Sequence, residues 1–183
     1  LTLDKVSVNV SALQFTSTLI TVVEEVLEEF QLPPNSLELE LTEGIMIDDN
    51  DSTLTALHAL KELGVRLSID DFGTGYSSLS YLSKFPLDEL KIDRSFVIER
   101  ETSESDASLV TAIIAMSKSL KLEIVAEGVE THGQYQFLTR NGVTLIQGFL
   151  FSPPVPQEEA TALLDQNMES RLHPTTARQT TSG

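Results

Sequence analysis

The residues best suited to chemistry lie in Ser68-Ile69-Asp70-Asp71-Phe72-Gly73-Thr74-Gly75-Tyr76-Ser77-Ser78. An apolar run, Val65 to Ile69, delivers two adjacent carboxylates into a loop with two glycines and several hydroxyls. Nothing in the loop neutralises that charge. Carboxylates so placed suit a hard cation such as Mg²⁺ or Mn²⁺. Asp, Gly and Ser also build ordinary solvated turns, and this stretch alone leaves both readings open.

The surrounding elements narrow the choice. Lys5 to Val10 alternates and reads as a strand, followed by a helix whose apolar stripe is Leu19, Ile20, Val23, Val26, Leu27 and Phe30. Pro33-Pro34 stops that helix. A second strand spans Leu37 to Leu41, and Asp48 to Ser52 supplies residues suited to a helix start. The stripe Leu54, Leu57, Ala59, Leu60 and Leu63 continues it, and Gly64 closes it. Val65 to Asp70 is the third strand. Leu79, Leu82 and Phe85 suggest a short helix, and Leu90 to Asp93 a fourth strand.

After a charged link from Glu99 to Asp106, the spacing predicts a helix from Ala107 to Leu120, with Leu109, Ile113, Met116 and Leu120 on one face. A fifth strand (Leu122 to Ala126), a helix (Glu130 to Arg140), a sixth strand (Val143 to Ile146) and a last helix near Gln157 to Leu164 complete the series. Strands alternating with helices predict an α/β fold with a mostly parallel sheet. Asn9, Glu40, Asp70 with Asp71, Lys91, Glu127 and Gln147 each fall at or beside the C-terminal end of a different strand. An α/β barrel assembles its active site at that end. An open doubly wound sheet also binds ligands there, so the barrel is the favoured reading of two.

Composition sets the outer bounds. The 183 residues are 40% hydrophobic and 22% charged, which fits one globular domain. With no cysteine and three scattered histidines (His58, His132, His173), a metal site must be built from oxygen ligands. A formal net charge of −16 argues against a nucleic-acid polymer as partner. An anionic small molecule remains compatible if bound cations invert the local field. No apolar run has transmembrane length, so the cytoplasm is the expected location, with any membrane anchor in upstream segments. The chain starts without an initiator Met and reads as a segment of something longer. We expect one domain over residues 1–166 and a polar, mobile tail over 167–183.

Six motifs carry a resemblance. They are Val8-Asn9-Val10-Ser11-Ala12-Leu13-Gln14-Phe15, Glu40-Leu41-Thr42-Glu43, Asp70 through Ser78, Leu90 through Val97, Ala126-Glu127-Gly128-Val129-Glu130-Thr131, and Gln147 through Pro153. In this order they resemble the EAL domain family of cyclic di-GMP phosphodiesterases. The resemblance implies an EAL-type TIM-like (β/α) barrel that hydrolyses cyclic di-GMP to linear pGpG with Mg²⁺ or Mn²⁺ in a two-metal site. Asn9, Glu40, Asp70, Asp71 and Glu127 become metal ligands, with Glu127 also catalytic. Lys91 assists the attacking water, Gln147 and Asp93 orient water or substrate, and Glu43, Gly73, Gly75 and Glu130 support the loops.

Simpler roles stay open for several of these residues. Asn9 suits a loop hydrogen bond, Glu40 a surface ion pair, Lys91 a pair with Asp93, and Glu43 or Glu130 a helix-start charge. Tyr76 suits the core or a substrate flank, and Phe151 is expected in the core.

Two departures from the family pattern stand out. Gly44 replaces a frequent Ser and changes little. The namesake Glu-x-Leu-x-Arg strand, expected upstream of Asn9, is absent, so about two N-terminal βα units of the barrel are expected to be missing. A non-catalytic cyclic di-GMP receptor or protein-interaction module is therefore the alternative function. An unrelated barrel enzyme acting on sugar phosphates fits the carboxylates but not the six motifs together. The resemblance also implies a homodimer and upstream regulatory domains such as GGDEF or PAS.

Overall fold

A computed structural model describes residues 5–47, 51–73, 82–98 and 104–164. Its strands are β1 (Val6–Val10), β2 (Leu37–Thr42), β3 (Arg66–Phe72), β4 (Glu89–Ile92), β5 (Glu123–Ala126) and β6 (Leu145–Ile146). The helices are α1 (Ser17–Glu29), α2 (Glu43–Ile47), α3 (Asp51–Glu62), α4 (Arg94–Ile98), α5 (Glu104–Leu120), α6 (His132–Arg140) and α7 (Gln157–Leu164).

All six strands pair in parallel, in the order β1-β2-β3-β4-β5-β6. A doubly wound sheet reverses its strand order at a switch point. This sheet never reverses, so it winds in one direction as a barrel does. Its curvature is visible in side-chain reach. Lys5 at the foot of β1 pairs with Glu89 at the start of β4, although flat strands three places apart lie roughly 14 Å from each other. The six strands form a half-barrel, open between β1 and β6 among the described residues.

Strand side chains alternate between two faces. One row (Val10, Leu39, Leu41, Leu67, Ile69, Leu90, Ile92, Ile124) faces outward and joins Val23, Leu27, Leu57, Leu60, Val110, Ile113 and Leu138 of the helices in one buried cluster. The other row is polar and lines the concave side. It includes Lys5, Ser7, Glu38, Glu40, Arg66, Asp70, Glu89 and Lys91. The hydrophobic core therefore lies between sheet and helices.

Local differences from the sequence reading have local causes. Helix α6 begins at His132, because the Thr131 side chain accepts from the Gln134 N–H and Gln134 reaches back in a capping box. Glu130 therefore precedes the helix. In α5 the buried face is Val110, Ile113, Ile114 and Ser117, while Leu109 is 46% exposed. The face is rotated by one position because β-branched neighbours offered a second apolar stripe. Strand β6 pairs only at Leu145 and Ile146, and β3 runs two residues past its expected end at Asp70.

Helices α2 and α4 were not anticipated, because five residues each are too few to show a helical period. Leu82 and Phe85 are buried, and residues 83–85 form turn and bend rather than helix, whereas Leu79, the helix start at 48–50, the link at 99–103, Gly75, Tyr76 and the tail at 167–183 lie outside the described residues. No helix among the described residues is long and apolar enough to cross a membrane.

The outer core gives a direct stability test. Leu57 of α3 is fully buried in the main cluster. Leu57→Ala is expected to lower unfolding free energy by about 2–5 kcal/mol, read as a lower urea midpoint at unchanged slope.

Candidate active site

The site is built where the inward-facing polar row reaches the C-terminal ends of β2 to β5. Lys91 of β4 is its centre. Its Nζ lies 2.6 Å from Glu127 Oε1, 2.7 Å from Glu40 Oε2 and 3.3 Å from Asp70 Oδ1. Only 3% of Lys91 is exposed. Burial by itself lowers the Lys91 pKa, but hydrogen bonds to Glu127 and Glu40, with the charges of Glu127 and Asp70, outweigh it and push it well above that of an ordinary lysine. Lys91 is thus a permanent ammonium donor at neutral pH and cannot serve as a general base. It makes no pair with Asp93.

The Asp-Asp pair depends on an irregular backbone. In a regular strand, neighbouring side chains point to opposite faces. Here the β3–β4 register shifts between Ile69 and Phe72, and Asp71 sits at φ 53°. Asp tolerates this left-handed conformation better than most side chains, and the Asp71 N–H donates to Asp70 Oδ1 at 3.0 Å. The turn brings both carboxylates to one side. One oxygen each from Asp70, Asp71 and Glu127 lies within 4.8 Å of the others.

Crowding shows in the protonation equilibria. Burial, then the charges of Asp70 and Asp93, raise the Asp71 carboxyl above its ordinary value. Burial raises Glu127, and Asp70 and Glu40 add to this; the Lys91 contact opposes them without cancelling them. Burial also works against ionised Asp93, but hydrogen bonds from the Ser95 hydroxyl and from the Ser95 and Arg94 backbones hold it below the usual range. Four carboxylates face one ammonium. That all-oxygen donor set fits a divalent cation.

The remaining expected site residues fall around this centre. Asn9 is exposed and stands in register with Glu40 on the neighbouring strand. Gln147 follows β6, its N–H donating to the Ala126 carbonyl at 2.9 Å. It lines a cavity of about 180 Å³ with Lys91, Glu40, Lys5 and Glu89. Glu43 is buried at the start of α2, while residues 74–81, the loop it is expected to support, are not described. Glu130 pairs with Arg94 at 2.7 Å. Gly73, at φ +98°, leaves room for the Phe96 ring. Phe151 is half-buried and meets the Tyr135 ring edge-on at 6.4 Å.

The sequence reading missed a second charged layer deeper in the half-barrel. Lys5 binds Glu38 at 2.8 Å and also contacts Glu89. Arg66 binds Glu38 at 3.2 Å and Glu123 at 2.6 Å. The signal was present as polar residues at every second position: Glu38-x-Glu40, Arg66-x-Ser68-x-Asp70, Glu89-x-Lys91 and Glu123-x-x-x-Glu127.

Comparison with known proteins gives the same family. The EAL domain profile matches residues 2–154. Over 158 residues the chain is 49% identical to the bifunctional diguanylate cyclase/cyclic di-GMP phosphodiesterase MucR of Pseudomonas aeruginosa, covering 86% of this chain and 23% of that protein. The chain spans about a fifth of the length of the curated relatives it matches first. The structure of the MucR phosphodiesterase in complex with c-di-GMP superposes with a TM-score of 0.82 at 48% identity, covering 85% of this chain and 64% of that one. Klebsiella pneumoniae BlrP1, in a manganese/cy-diGMP complex, gives a TM-score of 0.75 at 34% identity, covering 82% and 39%. With its six-stranded half-barrel and its ring of acidic strand ends, the chain belongs to the EAL domain family.

Proposed function

We propose that this chain is the catalytic part of a cyclic di-GMP phosphodiesterase that adds water across one phosphodiester and releases linear pGpG. The observation that carries this reading is the convergence of Glu40, Asp70 and Glu127 on Lys91, with Asp71 grouped beside Asp70 and Glu127. Relatives named as cyclic di-GMP phosphodiesterases and solved relatives holding that nucleotide support the choice of substrate. In this reading Asn9, Glu40, Asp70, Asp71 and Glu127 hold two Mg²⁺ or Mn²⁺ ions. The ions would offset negative charge on the phosphoryl group and acidify the attacking water.

The chain's own groups do the rest. Lys91, held as an ammonium by the carboxylates around it, would assist the attacking water through its positive charge and limits repulsion among its partners. In this reading Glu127 also takes up the water proton. Gln147 and Asp93 line the approach, and Gly73, Gly75, Glu43 and Glu130 keep the loops in place. The domain would comprise residues 1–166, with 167–183 as an appended tail. We place the activity in the cytoplasm, in a homodimer whose longer chain carries regulatory modules such as GGDEF or PAS. The length of the curated relatives leaves room for them.

Incubating the full-length protein with cyclic di-GMP and Mn²⁺ should yield pGpG by chromatography. Asp70→Asn should lower the rate by about 10²–10³-fold, and EDTA should abolish it until Mn²⁺ is restored. Nucleotide binding without pGpG would overturn hydrolysis in favour of a receptor.

Lys91→Met makes a separate prediction, because it leaves Glu40, Asp70 and Glu127 without their shared cation. The metal-free variant should lose about 3–5 kcal/mol of stability. Added Mn²⁺ should recover part of that loss in thermal melts, whereas turnover should stay depressed.

A further inference from the structure

The Asp70–Asp71 pair and Glu127 must be held close although like charges push them apart; Lys91 bridges Asp70 and Glu127, and Ile92 of β4 pairs with Phe72 and accepts from the Glu127 N–H at 3.1 Å. Strands β3 and β5 are separated by β4, and the β3–β4 ladder is interrupted at the aspartates. A third element meets both segments. Gly73 lies two residues after Asp71, and a β-carbon there would stand 2.8 and 2.9 Å from Phe96 Cε2 and Cζ. Gly128 directly follows Glu127, and a β-carbon there would stand 2.6 Å from Arg94 Cβ and 2.3 Å from its Cγ. Phe96 and Arg94 both belong to α4.

The contacts on α4 are directional. The stem of Arg94 lies on Gly128 and its Nη2 binds Glu130 at 2.7 Å, so one side chain grips the segment just beyond Glu127 at two points. The start of α4 is tied to Asp93, which accepts from the Ser95 N–H at 3.0 Å and lies two residues past Lys91. Val97, 2% exposed, and the partly buried Phe96 root the helix in the main core. We propose that α4 is a positioning clamp. Phe96 against Gly73, and Arg94 against Gly128 and Glu130, set the separation of the Asp70–Asp71 and Glu127 carboxylates and so the affinity for divalent cation. This inference rests on the metal-site reading above.

Mn²⁺ titration of the protein, by calorimetry or by the electron paramagnetic resonance of free Mn²⁺, separates a clamp from a bystander. If Arg94 acted only through its charge, Arg94→Ala would remove a cation beside the site and tighten Mn²⁺ binding. The clamp predicts the opposite sign. Arg94→Ala should weaken Mn²⁺ binding by roughly tenfold, as loss of an outer support of metal ligands does, with little change in melting temperature. Arg94→Lys, which keeps the stem and a donor for Glu130, should restore most of the affinity. Phe96→Leu should weaken binding in the same direction from the Gly73 side. Wild-type binding with Arg94→Ala unchanged or tighter overturns the clamp alone. No Mn²⁺ binding by the wild type overturns the metal-site reading and the clamp with it.

Discussion

A single buried ammonium holds the C-terminal end of this half-barrel together. Lys91 draws carboxylates from β2, β3 and β5 to within 2.6 to 3.3 Å. Burying a charged group is costly unless it is paired, and these contacts offset one another's desolvation. The arrangement is still short of positive charge, because one cation faces four carboxylates once Asp71 is included. Burial first, and after it the charge of neighbouring carboxylates, raises the pKa values of Asp71 and Glu127. An all-oxygen cluster of this kind suits a divalent cation.

The two ends of the concave face differ in charge balance while sharing the same strands. Lys5 and Arg66 answer Glu38, Glu89 and Glu123 at the deep end, a network close to internal compensation. At the C-terminal end the compensation fails. Period-two alternation places both layers on one face, so a two-residue step along a strand moves from an ion-pair network that braces the sheet to an acidic site that needs a partner. Barrels commonly divide their ends in this way, with stability at one and chemistry at the other.

Irregular backbone is concentrated where the carboxylates are needed. Asp71 is left-handed within a register shift, and Gly73 and Gly128 adopt positive φ where side chains of α4 press on the main chain. A regular strand cannot present adjacent residues to one ligand. The bulge makes that presentation possible, and it interrupts the β3–β4 ladder between Ile69 and Phe72.

Much of this was legible in the chain. Apolar periodicity located all six strands and the longer helices, and their alternation with turns implied a parallel α/β sheet with its polar residues at one end. The residue types alone dictated an oxygen-ligand site. Other features depend on contacts between residues distant in sequence. The partners of Lys91 lie 21 to 51 positions away, so sequence proximity left open a simpler pair with Asp93 that does not form. Helix α4 is too short to show a period, and its packing on two glycines arises only when β3 and β5 are folded onto β4. Sequence determined which residues could do the chemistry because residue type and alternation are local properties. Tertiary structure alone decided which of them meet and at what distance, because curvature, register and close packing arise only between segments.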